Sequence, residues 1–265
     1  MAAKKPAAKP ATTAVAQRAQ VQLPAEVQEQ MAADIAAFQQ RMSAPTGNRI
    51  AVTQDKKFRN AAGDKFDTMS GVIVDFVAKK AFYEGAYDKD NIVPPNCFAL
   101  GFVPHDALEP SENSPETQHH DACKTCPKNQ FKSADNGKGK ACKDSYILAL
   151  LPPDAEEGAP LVTLELSATA IKPFEKYVRD LARDFGKAPY CFVTEFYFDG
   201  ASDFPSVRCG NPQVADGNLI ALAYMQREEA QKLLSVEPQT GDFDEKVVAK
   251  RNAKPKGKPN GRVAR

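Results

Sequence analysis

Residues 173–198 read PFEKYVRDLARDFGKAPYCFVTEFYF, and this stretch contains the clearest helix and the strongest strand of the chain. The apolar side chains of its first half fall on one helical face: Phe174, Tyr177, Val178, Leu181 and Phe185. Pro173 suits the first turn of this helix, and Gly186 supplies its C-terminal stop. The second half, Tyr190–Phe198, is rich in aromatic and β-branched residues. We therefore predict a helix followed by a strand.

Outward from this unit, short strands and turns alternate on both sides. The earlier strand candidates are Arg49–Thr53, Gly71–Val77, Asn96–Val103, Tyr146–Leu151 and Leu161–Leu166. The later elements are the strand candidates Phe204–Arg208 and Asn218–Tyr224 and a short closing helix, Arg227–Leu234. One helix between early and late strands is how an oligonucleotide-binding (OB) barrel is wired. We therefore predict a mainly β, α+β fold: an OB-like barrel or a partly open antiparallel sheet with one central helix.

The composition is that of an ordinary chain of one domain with appendages. Of the 265 residues, 42% are hydrophobic and 26% are charged. The longest apolar runs, Tyr146–Pro153 and Cys191–Phe198, are far shorter than the roughly 20 residues that cross a bilayer. We therefore predict no membrane span. We also expect no export signal and a cytoplasmic location, which is the host cytoplasm if the protein is viral.

Basic residues are concentrated at the two ends of the chain. Residues 1–18 carry four lysines or arginines and residues 246–265 carry eight, and neither segment contains an acid. The other 23 of the 35 Lys and Arg face all 34 Asp and Glu, so the middle of the chain has a net charge of −11. Basic segments of this kind are solvated tails or contacts for polyanions.

We divide the chain into four segments. Residues 1–22 are a disordered basic arm. Residues 23–44 form a peripheral amphipathic helix that contacts the core or a partner through Val27, Met31, Ile35 and Phe38. Residues 45–236 are the OB-like core, with a metal-binding insertion at about 97–143. Residues 237–265 are an acidic and then basic disordered tail.

Four cysteines bracket a long polar loop: Cys97, Cys123, Cys126 and Cys142. The numbers of residues between them are 25, 2 and 15. A loop of this length inside a compact domain requires an explanation, and cross-linking by a metal is one. A CxxC turn points two thiolates at one ion, and four thiolates complete the tetrahedral geometry of structural zinc. The spacing therefore predicts a Zn²⁺ site that stabilises the loop.

Other ligand sets and chemistries remain open for this loop. It contains all three histidines of the chain: His105, His119 and His120. Either His119 or His120 can replace one thiolate. Cys126-Pro127 is also typical of iron–sulfur loops, in which proline follows a ligand cysteine. The absence of a thioredoxin-like βαβ pattern disfavours a redox CxxC. The remaining cysteines, Cys191 and Cys209, lie in or beside apolar strands and are predicted core residues.

The charge of the same loop is predominantly positive. Residues 124–143 contain six lysines and one acid, Asp135, inside a net-acidic body. Lysines neutralise phosphates, and aromatic faces stack on unpaired bases. The predicted nucleic-acid-binding residues are Lys124, Lys128, Phe131, Lys132, Lys138, Lys140, Lys143, Tyr83, Tyr87, Phe196 and Phe198. The alternative is a solvent-exposed loop whose charged side chains bind nothing.

Sequence patterns of common enzyme active sites are missing. The chain contains no GxxxxGK[ST], GxGxxG, HExxH or GxSxG pattern. Asp75, Glu195 and Asp199 lie on or near strands and are the candidates for a Mg²⁺-dependent nuclease site, but their spacing does not support one. We therefore predict no enzymatic activity and no small-molecule substrate.

Several short stretches carry a resemblance: Pro94–Ala99 (PPNCFA), Cys123–Phe131 (CxxCPxNxF), Gly137–Lys143 (GKGKACK), Leu164–Ser167, Pro173–Val178 and Val193-Thr194. Over roughly residues 49–225, the chain resembles phage-encoded proteins of replication and recombination. More loosely, it is similar to phage single-stranded-DNA-binding proteins that carry a zinc subdomain inserted in an OB barrel. That resemblance implies single-stranded DNA, with replication or recombination proteins, as partners.

The chain departs from the second group at its C-terminus. Proteins of that group usually have an acidic C-terminal tail that recruits partners, whereas here the acidic stretch of Asp242, Asp244 and Glu245 precedes a basic tail. Recruitment of partners by the tail is therefore in doubt, but DNA binding is not.

We predict a sequence-tolerant single-stranded-DNA-binding protein that acts in phage DNA replication or recombination. The alternative is a zinc-stabilised structural or interaction protein, such as a virion or transcription-complex component, without a dedicated single-strand groove. The net charge of −11 favours the alternative, because a DNA groove must locally overcome that field.

Overall fold

A computed structural model describes residues 49–85, 94–115, 122–135 and 137–238. All of them belong to Pro45–Arg265, the second of two units into which the chain divides. The predicted basic arm at 1–22, the predicted helix at 23–44 and residues 239–265 of the predicted tail lie outside the described residues.

Nine strands form one sheet in the described part of the chain. They are β1 (Arg49–Val52), β2 (Phe58–Arg59), β3 (Lys65–Phe66), β4 (Met69–Phe82), β5 (Cys97–Gly101), β6 (Lys143–Leu151), β7 (Val162–Leu166), β8 (Phe192–Phe198) and β9 (Val207–Val214). Neighbouring strands follow the order β3-β2-β1-β7-β6-β4-β8-β9, and β5 pairs with β4 beside this path. The sheet is strongly curled and open, a half-barrel, and three helices accompany it in the described residues. This architecture confirms the predicted mainly β, α+β class.

Strand β4 joins the two sides of the sheet. Along one edge it pairs antiparallel with β6, from Val72 opposite Leu151 to Ala81 opposite Lys143. Along its other edge it pairs antiparallel with β8 at its beginning and with β5 at its end. Most of its side chains are buried on both faces, which explains its nearly continuous apolar sequence.

Helix α1 (Ala168–Phe185) begins before Pro173, so this proline lies inside the helix and not in its first turn, which corrects the prediction. An internal proline cannot bond the carbonyl four residues earlier, here that of Thr169. Arg208 Nη1, from β9, lies 3.5 Å from this oxygen. The helix ends at Gly186, whose φ of 63° is the left-handed conformation that its prediction as a stop requires.

The prediction of a strand at Asn218–Tyr224 is wrong, because this segment forms helix α2 (Gly217–Met225). Asp216 explains the start of the helix. Its carboxylate accepts hydrogen bonds from the N–H groups of Asn218, over 2.9 Å, and Leu219, over 3.0 Å. A short apolar run fits a buried strand or a buried helix equally well, and here the N-terminal cap selects the helix.

The strand predicted at Phe204–Arg208 is displaced towards the C-terminus. Strand β9 begins only at Val207, and Phe204 lies in the turn before it with 69% of its surface exposed. The closing helix α3 (Arg227–Leu234) is at the predicted position. No helix among the described residues combines the length and apolar character needed to cross a bilayer.

The sheet buries side chains on both faces. On one face, Phe174 and Leu181 of α1 pack into a core with Leu148 of β6. On the other face, Leu222 of α2 and Leu234 of α3 belong to a second core. The alternation of side chains along the strands supplies both cores.

Candidate nucleic-acid interface and cysteine loop

The fold brings Cys97 and Cys142 to the same end of strand β4. Cys97 begins β5 and pairs with Phe82, the last residue of β4. Cys142 immediately precedes β6, whose Lys143 pairs with Ala81 on the opposite edge of β4. The two cysteines, which are distant in the sequence, therefore flank the end of one strand.

Cys123 and Cys126 lie in a turn that is hydrogen-bonded to the segment before β6. The N–H of Cys126 donates to the carbonyl of Cys123 over 3.3 Å, and a single 3₁₀ turn, Pro127–Asn129, follows. The N–H of Cys142 donates to the carbonyl of Lys128 over 2.8 Å. This last bond holds the CxxC turn beside Cys142 through the backbone.

A buried lysine connects this turn to the sheet. Lys80 of β4 is only 1% exposed, and its ammonium donates to the Asp144 carboxylate and, over 3.3 Å, to the side-chain oxygen of Asn129. Lys140 donates to the same two side chains, over 2.9 Å and 3.1 Å respectively. Asn129 in turn donates to the carbonyl of Cys123 over 2.7 Å. The buried charge is therefore compensated, and it anchors the cysteine turn.

The two buried thiols of the loop are weak acids. Burial raises the pKa of the Cys123 thiol to about 11 and that of Cys142 to about 12. The positive charge of Lys80 lowers both pKa values in part, whereas negative charge on Cys97 and Asp144 raises them. Both thiols are therefore protonated near neutral pH unless a metal ion displaces the proton.

Across residues 49–85, 94–115, 122–135 and 137–238, no three or more His, Cys, Asp and Glu side chains are arranged to hold an ion. His105 is used elsewhere, because its Nε2 lies 2.8 Å from the Ser145 carbonyl oxygen and its ring packs edge-on against Tyr146. His119 and His120 lie outside the described residues. The zinc site and the less favoured iron–sulfur site remain predictions.

Three of the loop lysines are engaged in contacts within the protein. Lys140 forms its ion pair with Asp144, and Lys143 donates to the carbonyl of Lys140 over 2.5 Å. The Nζ atom of Lys128 lies 4.9 Å from the centre of the Phe82 ring, a cation–π contact. The ammonium groups of these three lysines, which we predicted to bind phosphates, therefore already have partners within the protein.

The remaining lysines of the loop are exposed. Lys124, Lys132 and Lys138 all have solvent-accessible side chains. Neither Lys124 nor Lys132 forms an ion pair within the described ranges. Lys132 has a φ of 73°, so the backbone turns sharply at this residue. Lys124 and Lys132 are therefore the cations of the loop that a phosphate can approach most readily.

Two of the predicted stacking residues are open to solvent. Phe131, immediately before Lys132, is 73% exposed, and Tyr83, immediately after β4, is 43% exposed. A ring that is open to solvent can stack on a base, so both residues stay candidates, and Phe131 is the more exposed of the two.

The other predicted stacking residues are not available. The ring of Phe196 has 0% of its surface exposed, and the ring of Phe198 stacks on Phe58 with 4.5 Å between centroids. Alternation along β8 turns both side chains to the core. We therefore remove Phe196 and Phe198 from the candidate residues. Tyr87 lies outside the described residues.

Two further cations are neutralised on the face of the sheet opposite to Lys80. Lys79 of β4 and Arg49 of β1 both pair with Glu165 of β7, over 2.9 Å and 2.8 Å. Burial works against ionisation of Glu165, but these two charges and a hydrogen bond from Ser145 outweigh it and lower the pKa of the carboxyl group. These cations are therefore not free for a phosphate.

The three carboxylates considered for a nuclease site do not meet. Their partners are Arg227 for Asp75, Arg208 for Asp199 and Asn211 for Glu195. None of them belongs to a metal-ligand group in the described part of the chain. The described geometry therefore gives no support to a Mg²⁺ site on these residues.

Sequence reasoning missed Lys80 and Phe204. The signal for Lys80 was present, because alternation from buried Ala78 puts Lys80 on the core face, and Asp144 pairs with it on the next strand. Phe204 was missed because it was assigned to a strand. The core positions of Cys191 and Cys209 are confirmed, since both pack against the first core.

In comparisons with protein-family models, with curated proteins and with solved structures, nothing matches this chain. Geometry and charge are therefore the basis for assigning a function.

Proposed function

We propose that this protein binds single-stranded DNA without sequence preference, as a non-enzymatic component of phage DNA replication or recombination. The observation that carries the proposal is the 73% exposure of Phe131 between accessible lysines. Lys132 follows it directly, and Gln130 donates to the carbonyl of Lys124 over 3.1 Å, which holds Lys124 close by. A free ring beside free cations can stack on a base while the lysines contact phosphates.

The wiring of the strands supports an OB-like barrel as the platform. Strands β4, β6, β7, β8 and β9 follow the chain order of the five OB strands, with α1 between the third and the fourth. As in OB barrels, the long first strand pairs with the second and with the fourth, here β6 and β8. In the described residues β7 pairs in parallel with β1 and not with β9, so the barrel remains open.

This assignment gives the cysteine insertion and the turn at 199–206 a shared role. The insertion joins the first OB strand to the second, and the turn joins the fourth to the fifth. These are the two loops with which OB barrels bind oligonucleotides. The turn presents Phe204, which is 69% exposed, and Lys56 supports it by donating to the Ser202 carbonyl over 2.6 Å. Phe131 and Phe204 are therefore the proposed base-stacking residues of the two loops.

The proposal includes a structural Zn²⁺ ion bound by Cys97, Cys123, Cys126 and Cys142. Its support is that Cys97 and Cys142 flank one strand end and that the CxxC turn is bonded to Cys142. Loading must draw the four thiols together and release their protons. The ion would stiffen the loop that carries Phe131 and would take no part in chemistry.

The test is fluorescence anisotropy of a labelled oligonucleotide with the full-length protein. We expect Phe131→Ala to weaken binding by about fivefold to a hundredfold, because one stacked base is lost. Lys132→Gln should lower the slope of log affinity against log salt by about 0.7, because one phosphate contact is lost. Tyr224→Ala and Lys187→Gln, which change an exposed ring and an exposed lysine outside the loop, should bind like the wild type.

Two results would contradict the proposal. One is equal affinity for duplex and single strands at moderate salt, and the other is wild-type binding by Phe131→Ala. A further variant, lacking residues 246–265, separates the groove from the basic tail. Retention of most of the binding supports the groove, whereas complete loss assigns binding to the tail alone.

A structural or interaction protein is the second candidate, and exposed apolar side chains favour it. Val214 at the end of β9 is 56% exposed, and Tyr224 and Met225 of α2 are 60% and 68% exposed. Exposed apolar side chains that form a contiguous patch mark contact surfaces for other proteins. Strand binding that depends on the tail alone would support this candidate.

A further inference from the structure

A polar cleft opens at the beginning of β4, whereas the cysteine loop lies at its end. The cleft has a volume of about 320 Å³ and is lined by Ser70, Val193, Glu195, Asn211 and Gln213. These residues belong to β4, β8 and β9. The proposed strand-binding function makes no use of it.

A bulge in β9 shapes this cleft. Val193 pairs with Gln213 and Glu195 pairs with Gly210, so β9 has one residue more than β8 over this interval. Asn211, within the bulge, has a left-handed φ of 47°, and its side-chain amide donates to the Glu195 carboxylate. Bulges re-aim side chains and are found next to functional sites. This bulge turns the side-chain amide of Asn211 towards the Glu195 carboxylate.

The polar groups of the cleft offer acceptor oxygens and one negative charge. Glu195 is half-buried and forms no salt bridge within the described residues. The hydroxyl of Ser70 and the side-chain amide of Gln213 each add an acceptor oxygen. Among the described residues, no lysine, arginine or histidine lines the cleft. Its charge therefore repels phosphates and attracts a cation.

An aromatic ring borders the cleft. Tyr197 lies two residues after Glu195 on the same face of β8, and it is 37% exposed. Its ring covers Gly210 so closely that a Cβ atom at residue 210 would lie 3.1 Å from it. Gly210 pairs with Glu195, so the glycine allows the ring to approach the strand next to the carboxylate, where a planar cation can stack on the ring.

We propose that this cleft binds the guanidinium group of a peptide arginine. Guanidinium is planar and carries five N–H donors, and it pairs with carboxylates through two parallel hydrogen bonds while it stacks on aromatic rings. An ammonium group lacks the plane, and a nucleobase lacks the charge. The net charge of −11 in the middle of the chain favours the approach of basic peptides to the protein. The arginine comes from the basic tail, which contains Arg251, Arg262 and Arg265, or from a partner protein.

The experiment is an NMR titration of the ¹⁵N-labelled full-length protein with N-acetyl-arginine amide. We expect the amide signals of Gly210 and Asn211 to shift, and the citrulline analogue, which has the same shape without the charge, to leave them in place. Glu195→Gln should weaken binding about tenfold or more, because a charge-assisted pair becomes a neutral one. Glu229→Gln, on the exposed side of α3, is the matched control and should bind like the wild type.

A variant with all three tail arginines changed to glutamine distinguishes the two sources. If the amide signals of Gly210 and Asn211 differ between the ligand-free variant and the ligand-free wild type, the tail occupies the cleft. If that spectrum is unchanged and arginine amide still binds, the ligand is an arginine from another protein. Either result supports the guanidinium site. Absence of arginine-induced shifts in the variant without tail arginines, whose cleft the tail cannot fill, would overturn it, as would equal shifts with citrulline or shifts with nucleosides in place of arginine. All of these outcomes are independent of oligonucleotide binding through Phe131.

Discussion

At the residue scale, Lys80 links the sheet to the cysteine insertion. Its ammonium bonds Asp144 at the start of β6 and Asn129 just after the CxxC turn. Asn129 passes this restraint to the backbone of Cys123. One buried charge therefore orders a loop that the sequence attributed to a metal ion alone.

Replacement of Lys80 by methionine should destabilise the protein by about 3 kcal/mol, because removal of one partner leaves a buried charge without full compensation. Asp144 keeps its contact with Lys140, which places the loss at the lower end of the usual range. Urea unfolding followed by circular dichroism measures the change. Lys187→Met, at an exposed residue, is the control and should stay within about 0.5 kcal/mol of the wild type. Equal stability of the two variants would refute the anchoring role.

The residue scale also shows what a sequence can and cannot reveal about the site. The cysteine spacing pointed to Cys97 and Cys142, which the fold brings to the same end of β4, while the metal site itself stays a prediction. Phe131 and Phe196 looked equivalent in the sequence, yet one is 73% exposed and the other fully buried. Exposure depends on the face of the strand and on the packing around it, which composition does not encode.

At the element scale, helices α1 and α2 differ in how they begin. Asp216 caps α2 with two hydrogen bonds to backbone N–H groups. Ser167 occupies the same position before α1, but its side chain forms no capping bond. The two helices therefore form a natural pair for measuring the contribution of a cap.

Asp216→Ala should lower the free energy of unfolding by about 1 kcal/mol, because two N–H groups lose their acceptor. Ser167→Ala should change it by less than about 0.5 kcal/mol, because its hydroxyl caps nothing. Thermal and urea unfolding of both variants measure the difference. A loss at Ser167 as large as that at Asp216 would show that the caps are not the cause.

The errors in secondary structure also belong to this scale. The apolar parts of strands such as β4 and β6 were predicted because a run of apolar residues is a local pattern, although both strands extend beyond the predicted bounds. Pro173 was taken as the start of α1, but Arg208, from a strand later in the chain, lies near the carbonyl that the proline leaves unpaired. Such a contact forms only in the folded chain, so no local rule can include it.

At the scale of the whole molecule, the sequence predicted the class of the sheet but not the order of its strands. The parallel pairing of β1 with β7 joins segments that are far apart in the chain. Pairing of this kind depends on how the sheet curls, and no short pattern records it. The four-segment division also extends beyond the described residues at both ends.

Purified full-length protein should contain about one zinc ion per chain, which Cys126→Ser should lose. The high pKa values of the Cys123 and Cys142 thiols mean that the ion must displace protons, so loading should rise with pH and fall on acidification. Metal analysis after dialysis against zinc buffers at pH 6 and pH 8 tests this. Cys191→Ser, outside the loop, should keep its metal. Folded protein without metal at pH 8 would contradict the zinc proposal.

The two-sided pairing of β4 has a consequence for how the molecule comes apart. Its middle residues cannot be freed while β6 remains in place, and its two ends hold β8 and β5 on the opposite edge. The turn with Phe204 and the loop with Phe131 thus depend on one backbone ladder. Heat or denaturant that disrupts this ladder should therefore unfold both proposed DNA-binding loops together, as a single cooperative unit.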